Sequence, residues 1–442
     1  MRIQISEHFT YHKLLRFVCP SVIMMVFTSV YGVVDGIFVS NFVGSTAFAA
    51  VNFIMPVLMG LGAVGFMLGT GGGALAAKTM GEGLNDKANE YFSMIVYVNI
   101  GAGIILTLLG LALIRPIAGA LGAEGEMLDN AVSYGRVMLL GTTPYMLQNS
   151  FQSFFPVAEK PKAGLAVTVA AGVTNIVLDA LFVGALSWGI TGAAAATIIS
   201  YFVGGILPVF YFAGENSSRL RLVKTRIYWK KLLQSCINGS SEMMTNLSMS
   251  LVNMLYNIQL MKMAGENGVA AYGVIMYVNF IFAAVFLGYS IGSAPIAGYQ
   301  YGAENHKELH NILKKSLVLL IAAQIIMFAA AQLLSGMLAQ IFVGYDPALK
   351  EMTQHGFRIF AFSFLFMGIN IYGSAFFTAL NNGGLSALIS FLRTLLFQVI
   401  AVFALPVVFG LNGIWSAVVA AELAAMAVTL IILAVNRKKY GY

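Results

Sequence analysis

The chain has 442 residues, of which 59% are hydrophobic and 10% charged, with a formal net charge of +7. Soluble domains carry about 25% charged residues, so this composition excludes a water-soluble enzyme or binding module and describes a protein dissolved in lipid. The excess of Lys and Arg is no nucleic-acid signature, because most of these residues sit in or beside the short stretches between apolar runs.

Twelve such runs, near 14–40, 51–77, 91–113, 128–155, 163–184, 189–212, 233–263, 269–297, 312–335, 351–376, 386–409 and 413–435, are each about long enough to cross a bilayer as a helix. None shows the short alternating pattern of barrel strands. The expected fold is an all-α polytopic membrane protein with twelve transmembrane helices.

The first run is too long for the apolar core of a signal peptide and lacks a small-residue cleavage site, so it is expected to be retained. It contains Asp35, a lone carboxylate in an otherwise apolar stretch. An ionisable group in hydrocarbon costs several kcal/mol, which makes it a functional candidate by default; the plainer reading is a hydrogen-bond partner between helices. Tyr31 lies one turn earlier on the same face. Pro20 removes a backbone donor and kinks the helix, unless it falls in the first turn, where proline is tolerated. In the second run, GTGGGALAAK at 69–78 lacks the Gly-Lys-Ser/Thr of a nucleotide loop and reads as a close-packing surface.

The fifth run holds a second acid, Asp179, four residues after Asn175, so both project from one helix face. Thr197 follows in the sixth. Oxygens from Asp35, Asn175, Asp179 and Thr197 would suit a hard cation such as Na⁺. The same cluster suits a proton, since desolvation and a second carboxylate both favour the protonated form. Taken singly, Asn175 and Thr197 are ordinary interhelical hydrogen-bonding residues.

A basic stretch at 213–232 separates an N-lobe, residues 1–212, from a C-lobe, residues 233–442. Its charges fix orientation, or grip anionic lipid heads. In the seventh and eighth runs Met254, Tyr256, Tyr272, Met276 and Tyr277 supply thioethers and aromatic faces suited to hydrophobic cations, though such stripes are more often core or lipid-facing. Glu242 is placed near the cytoplasmic end of the seventh run. Arg393 and Glu422, in the last two, are expected to pair as structural glue. Cys19 and Cys236 show no disulfide or metal-ligand spacing.

Nineteen of the 25 Lys and Arg residues fall in or beside one set of loops, which includes both termini, and Arg393, near the start of its helix on the same side, makes twenty. Positive charge stays in the cytoplasm, so both ends are expected there. The chain also repeats at an offset of 221. Gly44, Gly71, Gly81, Gly135, Gly189 and Gly192 coincide with Gly265, Gly292, Gly302, Gly356, Gly410 and Gly413, where chance gives about two coincidences. Six helices per half place the two lobes in parallel orientation. The repeat partners of Asp35 and Asp179 are Tyr256 and Ile400, so both acids belong to the N-lobe alone.

The length, the two six-helix lobes, and the order Pro20, Asp35, Asn175–Asp179, Thr197 resemble the multidrug and toxic compound extrusion (MATE) antiporters, in particular their DNA-damage-inducible-F-like prokaryotic branch. The resemblance implies that the four polar residues form an N-lobe proton or cation site, with Tyr134 in its shell. It also implies a helix 1 that bends and export of organic cations or amphiphiles in exchange for H⁺ or Na⁺.

The expected protein is therefore not an enzyme and needs no cofactor beyond its coupling ion. It works as a monomer in the cytoplasmic membrane, with small hydrophobic or cationic molecules and lipids as partners and no nucleic acid. The alternatives are a lipid-linked precursor flippase of the same superfamily and a non-transporting sensor or assembly factor.

Overall fold

The structure, a computed structural model, describes residues 3–42, 45–120 and 123–442, and the side chains of residues 35–53 lie outside that description. All its regular elements among the described residues are helical. Span 1 is Tyr11–Phe42, span 2 Ser45–Gly81 and span 3 Asn85–Ala120. Span 4 comprises Gly125–Leu140 and Thr142–Val157. Span 5 is Pro161–Asp179 continued by a π-helical Ala180–Ala185, and span 6 is Gly189–Ala213.

The long helix Trp229–Gly302 is two crossings, because Gly265 (φ 63°, ψ −153°) leaves the helical region. Span 7 is thus 229–264 and span 8 is 266–302. Span 9 is His306–Val343, and span 10 is Pro347–Phe360 and Phe364–Ala379 joined by a 3₁₀ turn. Span 11 runs from Gly383–Phe391 through a π turn to Phe397–Phe409, and span 12 is Leu411–Tyr440. Among the described residues ten helical stretches are long and apolar enough to cross a membrane. Splitting Trp229–Gly302 and joining the two 16-residue pieces of span 4 makes twelve crossings, as expected. Span 7 starts at Trp229, inside the stretch read as linker. Its first turn is polar, and Tyr228 just before it is held by the side chains of Lys87 and Glu90.

The 221-residue repeat is written in the backbone. Gly83 (φ 82°) and Glu304 (φ 54°) close the same turn, each N–H donating over 3.1 Å to the carbonyl of Met80 or Tyr301. Gly189 (φ 60°) and Gly410 (φ 58°) open spans 6 and 12. Span 4 breaks at Gly141, and its counterpart breaks at Ala361–Ser363. A positive φ costs a residue bearing Cβ about 1–2 kcal/mol, so these pairs mark matched tight turns.

The halves meet in a seam of small residues on the side of the molecule that carries both termini. Gly81 and Gly302, repeat mates, lie against each other. A Cβ on Gly81 would fall 2.1 Å from the Tyr299 carbonyl oxygen, and one on Gly302 would fall 2.1 Å from that of Lys78. Farther in, a Cβ on Gly239 of span 7 would lie 1.9 Å from the Met67 carbonyl oxygen of span 2. On the other flank Gly288 packs against the backbone of Ser21 and Val22 in span 1. Only residues without side chains let four helices approach this closely.

The segment before span 1 straps this face. Ile5 N–H donates to Glu159 of the N-terminal half (3.1 Å), while Gln300 donates to the Ile5 carbonyl (2.9 Å) from the other half. Glu308 accepts from Phe9 N–H (2.9 Å) and meets His8 Nδ1 at 2.6 Å. Lys315 and Asn311 donate to the Phe9 carbonyl at 2.6 and 3.1 Å. Within the strap, the Lys13 ammonium beside Glu7 holds that carboxyl below the usual carboxylate range.

Candidate functional site

Span 5 positions the polar pair inside the N-terminal half. Asp179 is fully buried and Asn175 nearly so, and Asn175 Nδ2 donates to Thr197 Oγ1 of span 6 over 3.4 Å. Asp179 is the last α-helical residue before the π turn, and such turns concentrate at functional positions because they re-aim side chains. Gly172, two turns earlier, lets span 5 settle on Phe27 and Tyr31 of span 1. Both helices run outward from the termini side. A rise of about 1.5 Å per residue therefore puts Asn175 and Asp179 level with the span 1 backbone near residues 31–35. The Asp35 side chain lies outside the described residues.

Tyr31 receives a hydrogen bond from Gln148 Nε2 of span 4 (3.4 Å) and packs beside Phe27 with ring centroids 5.9 Å apart. Tyr134 is buried in span 4, its hydroxyl 3.8 Å from Met55 Sδ, in the cluster that includes Ala193, Ala194 and Ile198 around Thr197. Pro20 is the tenth residue of span 1, past the first turn, so its ring faces the carbonyl of Arg16 rather than a free helix end. The sequence alone does not single out Gln148. It is buried, and Gly204 of span 6 makes room for its amide. The available signal was an amide inside an apolar run.

The C-terminal half fills the matching region differently. Tyr256, the repeat partner of Asp35, donates to Gln398 Oε1 of span 11 (2.9 Å) and stacks on Tyr272, with rings 5.0 Å apart and 4° from parallel. Tyr272 in turn donates to Asn253 (2.9 Å). The position thus holds a neutral, satisfied pair. Arg393 Nε donates to both carboxylate oxygens of Glu422 (2.9 and 3.0 Å), and Asn370 Nδ2 adds a bond of 2.7 Å. Arg393 and Glu422 form the pair expected of them.

Between the halves, just outward of the seam, lies a cavity of about 150 Å³ lined by spans 1, 2 and 4 from one half and spans 7, 8 and 10 from the other. Glu242, Thr245, Asn246 and Met249 form one face of span 7 along it, with Phe66 and Met25 opposite. Glu242 therefore faces this central space. The five aromatic and thioether candidates lie elsewhere: Met254 and Tyr277 are exposed, Met276 packs against the core, and Tyr256 and Tyr272 are buried against each other. Among the described residues no group of three or more His, Cys, Asp or Glu is arranged to hold a metal ion.

A family model described as MatE matches residues 20–181 and again 243–403. The chain is 23% identical over 431 residues to the multidrug export protein MepA of Staphylococcus aureus (strain MRSA252), covering 96% of this chain and 93% of that protein. MepA of Staphylococcus haemolyticus (strain JCSC1435) is 22% identical over 436 residues, covering 98% and 95%. In fold it superposes with a TM-score of 0.93 on the outward-facing conformation of a multidrug resistance MATE family transporter of the MOP superfamily. That match covers 99% of this chain and 97% of the other at 23% identity. The chain belongs to the MatE family, the MATE transporters, and is a membrane transporter rather than an enzyme.

Proposed function

We propose that this protein is a secondary active multidrug exporter that expels organic cations and amphiphiles in exchange for H⁺ or Na⁺. The observation that carries the reading is likeness along nearly the whole chain to proteins named multidrug export protein. The lobes, residues 1–212 and 233–442 joined by the basic stretch 213–232, rock about the seam to expose the cavity alternately to each side. The closed seam on the termini side supports a state open to the opposite face.

The coupling site in this reading is Asp35, Asn175, Asp179 and Thr197, with Tyr31 and Tyr134 in its shell. Gln148 orients Tyr31, and Pro20 lets span 1 bend as the site fills and empties. The protein works as a monomer in the cytoplasmic membrane with both termini inside. A flippase of anionic lipid precursors would need cationic groups in its cavity. Among the described residues this lining holds one acid and no Lys or Arg.

Ethidium accumulation in everted vesicles under separately imposed H⁺ and Na⁺ gradients tests the proposal. Transport driven by one of the two gradients is the expected result, and none under either refutes it.

A further inference from the structure

Glu242 has no place in the coupling cluster, yet it stands where a transported molecule would lie. It follows Gly239 by three residues, so its Cα is about 4.5 Å farther along span 7 than the tightest contact of the seam. It is the one charged side chain among the described residues that line the cavity.

Its polar neighbours do not compensate it. Thr245 Oγ1 donates to the Ser241 carbonyl (2.8 Å), and Asn246 Nδ2 donates to the carbonyl of Glu242 itself (2.8 Å). Arg393, whose charge reaches Glu242 through space, is committed to Glu422. Among the described residues the Glu242 carboxylate has no ion-pair or hydrogen-bond partner. Across the cavity, the buried Ser290 hydroxyl of span 8 is also unpartnered. A carboxylate and a hydroxyl left open beside Phe66, Met25 and Met249 make a small site with one negative pole and apolar, polarisable walls, suited to a lipophilic cation.

We propose that Glu242 is the charge-selecting residue of the inter-lobe cavity, its carboxylate receiving the cationic centre of the transported amphiphile while Phe66, Met25 and Met249 hold its apolar body. The inference rests on the efflux reading above and adds the residue that chooses the substrate's charge. Ligand charge at Glu242 also bears on the seam. Enclosing a carboxylate with a cation costs far less than enclosing it alone, so a bound cation favours closure next to Gly239.

The test is equilibrium dialysis of tetraphenylphosphonium against the full-length protein purified in detergent, comparing wild type, E242Q, E242D and E422Q. E242Q is expected to raise the Kd about tenfold, E242D less than threefold, and E422Q in folded protein not at all. A change below threefold in E242Q overturns the proposal. If E242Q does not fold, dicyclohexylcarbodiimide labelling of wild-type Glu242 decides: saturating tetraphenylphosphonium suppresses it if the proposal holds, and undiminished labelling overturns it. Wild-type protein that neither binds tetraphenylphosphonium nor moves ethidium refutes the efflux reading itself. Ethidium transport that survives E242Q with an unchanged KM refutes this inference alone.

Discussion

Replacing Gly81 by Ala tests whether the glycine seam belongs to one conformational state. The added methyl would stand 2.1 Å from the Tyr299 carbonyl oxygen and 2.8 Å from the Ala303 nitrogen. A relaxed carbon–oxygen contact is about 3.4 Å, so the halves must part by about 1.3 Å at this point or distort. Both contacts are backbone and cannot rotate away. Overpacking of this kind costs about 1–3 kcal/mol. If the seam exists only while the termini side is closed, that cost falls on the closed state alone and shifts the balance roughly 5- to 150-fold toward the open one. Spin labels at Leu84→Cys and Lys307→Cys, in a background with Cys19→Ser and Cys236→Ser, flank the seam and report its opening by pulsed dipolar spectroscopy. Gly101→Ala, with nothing within 4 Å of its added methyl, is the control and leaves the distances unchanged. A Gly81→Ala protein that folds and keeps the wild-type distance distribution refutes the argument.

Asp179→Asn and Asp35→Asn are expected to abolish ion-coupled ethidium efflux at near-normal membrane abundance, because Asn keeps size and hydrogen bonding but cannot titrate; wild-type pumping by either would make that acid structural. Removing one partner of the buried Arg393–Glu422 pair leaves an uncompensated charge and costs about 3–5 kcal/mol. Arg393→Met alone therefore lowers the thermal unfolding midpoint, and the Arg393→Met, Glu422→Gln double variant recovers most of the loss. Equal midpoints for the two variants would show that the pair carries no stability. Reporters fused after Tyr442 and within residues 213–232 should both read cytoplasmic, and a periplasmic signal from the linker would break the division into six plus six.

Span number, repeat and family were legible in the sequence because they rest on long-range regularities: apolar length, charge placement and a gapless glycine register. The Asn175–Asp179 pair was legible because spacing of four fixes a helix face, and the Arg393–Glu422 pair because two lone opposite charges in adjacent apolar helices have few other partners. The cavity was not legible. Glu242 reads from one helix as a residue near an aqueous end, and only the packing of spans 1, 2 and 8 around span 7 shows the space it faces. Tyr256 and Tyr272 were attractive as pathway residues by composition. Their hydroxyls are spent on Gln398 and Asn253, which no pattern within a single span reveals. The seam itself is half legible: the glycines stand out, but which of them meet depends on the register between halves.

The strap has a consequence for how the molecule is made. Ile5 is bonded to Gln300, 295 residues downstream, and Phe9 to Glu308, 299 downstream. At about 5–20 residues per second, synthesis must continue for roughly 15–60 s after Ile5 and Phe9 are made before they can find these partners. Until then Ile5 and Phe9, both fully buried in the finished molecule, wait in the aqueous phase or at the lipid surface. A segment that precedes span 1 is thus among the last to dock, and its bonds to Glu159 on one side and to Gln300 and Glu308 on the other tie together two halves that already meet along the glycine seam.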